Sequence, residues 1–117
     1  MKMAHVTIKT ANFDEEIKFY EDFAELVINQ DMRPQMDLVF LAFIEGGTRV
    51  EIIGDPEAGD AGNENLSIGF STTDAEGLRQ DFIERGLKPT RIISPNPHVK
   101  FFYVTDPAGV KVQFIEG

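Results

Sequence analysis

The residues of this sequence best suited to chemistry are a histidine and a glutamate near the two ends of its first half. His5 stands in a predicted strand over residues 4–10, and Glu51 stands in a predicted strand over residues 48–53. Period-two alternation places each of them on the polar face of its strand. An imidazole nitrogen and a carboxylate oxygen can bind a divalent metal, move a proton, or hydrogen-bond an organic ligand. Because the chain has no cysteine, thiolate chemistry and disulfides are excluded.

The second half of the chain repeats the first in kind. An offset of 62 residues superposes the first strands and the final hairpins, and it places Ser67 at the position of His5 and Gln113 at that of Glu51. The aligned identities are Thr10 with Thr72, Phe40 with Phe102, Gly47 with Gly109, Val50 with Val112, and Ile53 with Ile115. These few identities matter less than the shared order of elements, turn glycines and strand polarity. Two copies are too few for a solenoid.

The elements that must position these residues can be read from the apolar spacing. Besides residues 4–10 and 48–53, strands are predicted over residues 36–43, 66–72, 89–93, 99–105 and 110–116. Helices are predicted over residues 11–26 and 72–86, the first starting at Asn12 and the second at Thr73. Residues 54–65 contain no large apolar side chain and no basic residue, which is typical of a linker. The pattern predicts an α+β fold.

Length and charge narrow the function classes. A chain of 117 residues and 13.1 kDa holds one compact domain or two small modules. Twenty acidic residues against eleven basic ones give a net charge of −9. That charge argues against nucleic acid or anionic lipid as a partner and is compatible with a cationic ligand. The sequence shows neither an apolar run of transmembrane length nor a signal-peptide core, which favours a cytoplasmic protein.

The sequence resembles the vicinal oxygen chelate superfamily, which includes glyoxalase I, bleomycin-resistance proteins and extradiol dioxygenases. The resemblance rests on three segments: AHVTIKTANFDEEIKFY (residues 4–20), GGTRVEII (46–53) and TDPAGVKVQFIE (105–116). It implies a single domain over residues 1–117, made of two βαβββ modules (3–55 and 66–117) with residues 54–65 as the linker. It also implies that the eight strands form a cupped assembly, that the cup holds a small molecule, and that the protein is a homodimer.

The resemblance further implies a metal site. Its ligands would be His5, Glu51 and Gln113, holding nickel, zinc, cobalt or manganese, with Glu51 also the candidate catalytic base. The second module departs from the family pattern, because Ser67 stands where a histidine is common and Gln113 where a glutamate is usual. A hydroxyl is a poor metal ligand and an amide oxygen an intermediate one. Three functions therefore stay open: a small-molecule binding protein with a degenerate metal site, a metal-dependent lyase or isomerase resembling glyoxalase I, and a structural dimer without ligand.

Candidate ligand-binding residues surround these positions. Thr7, Arg49, Ser67, Tyr103 and Lys111 complete the predicted set. The two cations precede Glu51 and Gln113 by two residues, so they share their polar faces and could neutralise a carboxylate on a ligand.

The remaining aromatic and histidine candidates also have ordinary structural interpretations. The phenylalanines at 40, 101 and 102 are more often core residues than a ligand wall. His98 lies in a predicted loop and is expected to be solvated. The polar positions could also be hydrogen-bonded residues that line a cleft without metal.

Overall fold

The computed structural model describes all 117 residues and divides the chain into two compact units, Met1–Ala61 and Gly62–Gly117. The first unit contains β1 (His5–Thr10), α1 (Phe13–Phe23), β2 (Val27–Asp31), β3 (Leu38–Ala42) and β4 (Arg49–Gly54). Its sheet has the strand order β1-β4-β3-β2. β1 and β4 run parallel, and the other neighbouring strands run antiparallel.

The second unit repeats this order. It contains β5 (Ile68–Ser71), α2 (Ala75–Glu84), β6 (Ile93–Asn96), β7 (Val99–Thr105) and β8 (Lys111–Glu116). Its sheet has the order β5-β8-β7-β6, again with a parallel pair formed by the first and last strands. The predicted α+β fold of two βαβββ modules is therefore confirmed. No helix of the chain combines the length and apolarity needed to span a bilayer.

Strand register shows how far the repeat extends. Thr7 faces Glu51 across β1 and β4, and Gly69 faces Gln113 across β5 and β8, so these strands keep the offset of 62. The neighbouring strand does not keep it. Phe40 is the partner of Glu51, whereas Tyr103 is the partner of Gln113. The predicted match of Phe40 with Phe102 is therefore wrong, because the β7–β8 connection (106–110) is one residue shorter than the β3–β4 connection (43–48).

The start of each helix is fixed differently. Asn12 is at the N-cap of α1, as predicted, but its side chain makes no capping hydrogen bond. Asp74, not the predicted Thr73, is at the N-cap of α2, and its carboxylate accepts a hydrogen bond from the Gly77 N–H at 3.0 Å. An ionised carboxylate at this position also interacts favourably with the helix dipole, which explains why the aspartate takes the cap.

The apolar pattern of the sequence does not locate two of the strands correctly. The strand predicted over residues 89–93 lies instead at Ile93–Asn96, and the position of β2, the second strand of the first βαβββ module, was not predicted. Both are edge strands whose side chains are mostly exposed, so neither shows a buried apolar face in the sequence.

Each module has its own apolar core. In the first, Tyr20 of α1 is fully buried together with Leu41 of β3 and Ile52 of β4. In the second, the rings of Phe102 and Phe114 lie 5.7 and 5.0 Å from that of Phe82 on α2. Phe102 is fully buried, so its interpretation as a core residue is confirmed. Because the cores occupy one side of each sheet, the opposite face is left for polar side chains.

Candidate functional site

The parallel pairing of β1 and β4 brings the polar residues of the first module together. His5 is in register with Arg49, and Thr7 is in register with Glu51. Phe40 joins them from β3 as the antiparallel partner of Glu51. In-register neighbours point to the same side of a sheet, so all these side chains share one face. We call this group the first polar face.

Glu51 is the centre of this face. Its Oε1 accepts a hydrogen bond from Thr7 Oγ1 at 2.6 Å and lies 3.6 Å from His5 Nε2. The side chain of Glu51 is 13% exposed, whereas that of His5 is 38% exposed. The carboxylate is therefore held on the sheet surface by a hydroxyl, while the more exposed imidazole stays open to a second partner. The His5 ring also makes an edge contact with Phe40, at 5.6 Å between ring centres.

Arg49 has no carboxylate partner in the protein. Its guanidinium carbon lies 4.0 Å from the centre of the Phe40 ring, and its Nη1 donates a hydrogen bond to Gln30 Oε1 at 3.1 Å. A ring face and an amide oxygen orient a guanidinium without neutralising its charge. The arginine therefore keeps a full positive charge on this face.

The second module has a related polar face with fewer of these groups. Lys111 Nζ lies 4.2 Å from the centre of the Tyr103 ring, which corresponds to the Arg49 contact with Phe40. Gln113 replaces Glu51, and Gly69 replaces Thr7, so the threonine hydroxyl that bonds Glu51 has no counterpart on β5. The exposed residue Ser67 lies just before β5 rather than in it. A matched cation–aromatic pair is thus retained, while the hydrogen-bonded acid is not.

Comparison with known proteins settles the family. The family model of the Glyoxalase/Bleomycin resistance protein/Dioxygenase superfamily matches residues 2–114. The chain belongs to this superfamily. No curated protein matches the chain at a significant level.

Solved structures confirm the superfamily fold. The trypanothione-dependent glyoxalase I of Leishmania major has a TM-score of 0.80 at 20% identity, covering 99% of this chain and 86% of that one. An antibiotic-binding protein from a Streptomyces species has a TM-score of 0.79 at 12% identity, covering 99% and 95%. A superfamily member from Sphaerobacter thermophilus has a TM-score of 0.76 at 18% identity, covering 100% and 98%. At these identities the likeness concerns the fold.

A divalent metal, which the superfamily resemblance implies, fits this chain poorly. His5 and Glu51 are the two strong donors that come together, and the carboxylate oxygen nearest the imidazole already accepts the Thr7 hydrogen bond. No three His, Asp or Glu side chains of the chain are placed so that they could hold a metal ion together. Structural and catalytic zinc sites usually have three or four protein ligands. Gln113, the third predicted ligand, belongs to the second module, and its amide oxygen is the weakest donor of the predicted set.

The structure also shows what the sequence reasoning missed. Gln30, the hydrogen-bond partner of Arg49, lies on β2. Because the sequence did not locate this strand, it did not predict which way the Gln30 side chain points. A register shift between Ile28 and Gln30 sets which side of β2 faces the site, and nothing in the sequence marks it. His98 lies in the turn between β6 and β7, where its N–H donates to Asn96 Oδ1 and its side chain is exposed.

Proposed function

We propose that this superfamily member binds a small organic ligand on the first polar face. The observation that carries the proposal is the convergence of His5, Thr7 and Glu51, with Oε1 of the glutamate 2.6 Å from the hydroxyl and 3.6 Å from the imidazole. Arg49 and the Phe40 ring supply a cation and an apolar wall beside them. A few oriented polar groups next to aromatic surface are what a small-ligand site requires.

Each group on this face has a task in binding. Glu51 can accept a further hydrogen bond from a ligand hydroxyl or amine, because its carboxylate has more acceptor positions than its neighbours use. His5 can donate or accept, and it is the more exposed of the pair. In the second module, Ser67, Tyr103, Lys111 and Gln113 are candidate ligand contacts of the same kind.

The test is a ligand screen in the presence of a chelator. A library of small acids, amines and aromatic compounds is added to the protein in EDTA, and thermal stability is followed. We expect at least one compound to raise the melting temperature of wild-type protein and to lose most of that effect in His5→Ala. The matched control is His98→Ala, which removes the other histidine from an exposed turn and should behave like wild type. Equal responses in the two variants would contradict the proposal.

A second candidate is a metal-dependent lyase or isomerase of the glyoxalase type. The proximity of two metal donors, His5 Nε2 and Glu51 Oε1, favours it. A bound metal would supply stabilisation of a developing negative charge on the substrate. Glu51 cannot easily be both a tight ligand and a mobile base, which weighs against this candidate.

This candidate has its own test. Nickel, zinc, cobalt and manganese are titrated into chelator-free protein while metal content, thermal stability and hemithioacetal isomerisation are measured. A stoichiometric metal that is lost in His5→Ala, together with isomerase activity, would support the enzyme. If a ligand stabilises the protein in EDTA and the protein takes up no metal, the enzyme is contradicted and the metal-independent binding protein is supported. The resemblance also predicts a homodimer, which light scattering tests against the monomer mass of 13.1 kDa.

A further inference from the structure

A pocket of about 510 Å³ adjoins the first polar face. Its walls come from the edge strand β2 and from the connection that follows β3. They include Val27, Ala42, Phe43, Ile44, Glu45 and Arg49. Its volume is in the range of small-ligand pockets. Arg49 belongs both to this pocket and to the first polar face, so the two surfaces are continuous at that residue.

The apolar wall of the pocket has no partner in the chain. Val27 is 63% exposed, Phe43 67% and Ile44 66%. Single exposed apolar residues are common on protein surfaces, but three that line one concavity form a surface that a ligand can cover. Covering it would remove apolar area from water, which favours a ligand with an alkyl or aryl group.

The polar end of the pocket favours a ligand with a negatively charged group. Arg49 is held by the Phe40 ring and by Gln30 Oε1, both neutral, although the chain has 20 acidic residues that could have paired with it. A guanidinium in that state binds carboxylates through two charge-assisted hydrogen bonds. Glu45 also lines the pocket and opposes an anion there.

We propose that this pocket binds an amphipathic carboxylate. The carboxylate lies on Arg49, and the alkyl or aryl chain lies against Val27, Phe43 and Ile44. The inference rests on the proposed function and names the ligand class for it, since Arg49 joins the pocket to the first polar face.

The first experiment measures affinity for a matched series by calorimetry. Hexanoate, octanoate and decanoate vary the chain, while octanamide and octylamine keep the chain and change the head group. Each added methylene should strengthen binding about 4-fold, because burying one contributes about 0.8 kcal/mol. Octanamide should bind about tenfold more weakly than octanoate, since it lacks the ionic hydrogen bonds, and octylamine more weakly still.

Variants then assign the two ends of the ligand. Arg49→Met should weaken the binding of octanoate about tenfold and that of octanamide much less, because the amide has only one oxygen and no charge. Arg49→Lys should retain part of the preference for the anion. Arg91→Met removes an exposed arginine of the second module and is the charge-matched control. Glu45→Gln should strengthen octanoate and weaken octylamine, because it removes a negative charge from the pocket.

The apolar end is tested by chain-length dependence. Phe43→Ser should flatten the increase in affinity from hexanoate to decanoate. Leu66→Ser is the matched control, because Leu66 is 66% exposed, close to the 67% of Phe43, and lies in the second module. Both substitutions are at exposed positions, so neither should prevent folding.

Several outcomes would overturn the inference. One is no saturable binding of any carboxylate in the series, and another is binding that neither Arg49→Met nor Phe43→Ser alters. A homodimer that Phe43→Ser dissociates would mean that a second copy covers the pocket. The screen in EDTA separates this inference from the proposed function. If its hits depend on His5 while carboxylates do not bind, only the further inference fails; if its hits are indifferent to His5, the proposed function fails whatever the carboxylates do.

Discussion

At the scale of single residues, Glu51 depends on its neighbours for its orientation. Its carboxylate is 13% exposed and accepts a 2.6 Å hydrogen bond from Thr7. A charged hydrogen bond on a partly covered sheet surface is stronger than one in open water, because the local dielectric constant is lower. The second module, with Gly69 opposite Gln113, lacks the corresponding bond.

Replacing Thr7 with valine removes this bond while keeping a β-branched side chain. We expect Thr7→Val to lower the free energy of unfolding by about 1 kcal/mol. Thr105→Val, an exposed threonine of β7, is the control and should change stability by less than about 0.5 kcal/mol. Urea unfolding followed by circular dichroism measures both. Equal effects of the two variants would show that the Thr7 hydroxyl does not hold Glu51.

Asp31 provides a pH prediction at the same scale. The Arg33 guanidinium donates two hydrogen bonds to the Asp31 carboxylate, and the Arg33 backbone N–H donates a third. Together they lower the pKa of Asp31 from 3.8 to about 2. A lowered folded-state pKa means that the aspartate stabilises the protein above pH 3.8 and that this contribution is lost as the pH falls towards 2. Carboxyl carbon NMR should give a pKa of about 2 in wild type and a value near 3.8 in Arg33→Gln. An unchanged value in the variant would contradict the pairing.

At the scale of elements, the sequence predicts strands that have a buried apolar face well and strands with mostly exposed side chains poorly. β1, β4, β7 and β8 alternate polar and apolar residues or carry long apolar runs. For β7, the predicted range of residues 99–105 is the observed one. β2 has mostly exposed side chains and a register shift, and its sequence therefore lacks both signals. Gln30 lies on this strand, whose position the sequence did not predict, so its contact with Arg49 could not be predicted either.

The two helix starts give a matched prediction for these elements. Asp74→Ala should lower the free energy of unfolding by about 1 kcal/mol, because the Gly77 N–H loses its acceptor. Asn12→Ala should cost less than half as much, since the Asn12 side chain makes no capping bond. Thermal and urea unfolding of both variants measure the difference. A larger loss at Asn12 than at Asp74 would contradict the assignment of the caps.

At the scale of the whole molecule, the duplication predicts most of the fold but only part of the candidate site. The offset of 62 holds for the first and last strands of each module, so the sequence alone places Glu51 and Gln113 at equivalent positions. It fails for β3 and β7, where one residue fewer in a connection makes Tyr103 the counterpart of Phe40. Strand periodicity carries no information on turn length, so it does not predict this shift.

Net charge also acts on the whole molecule. With 20 acidic and 11 basic residues, the folded chain repels itself at neutral pH. The observed ion pairs are partly exposed, and such pairs contribute little each. We therefore expect the melting temperature to rise by a few degrees between about 10 mM and 150 mM sodium chloride, as the Debye length falls from about 30 to about 8 Å. A fall over this range would show that the ion pairs outweigh the repulsion.

The most direct test of the proposed function is NMR chemical-shift mapping of the strongest ligand from the screen, added to isotopically labelled protein in EDTA. We predict that the largest amide shifts surround Glu51 on β1, β3 and β4, and that they shrink strongly in His5→Ala but not in His98→Ala. Shifts located away from these strands, or binding that requires an added divalent metal, would contradict a metal-independent ligand site on the first polar face.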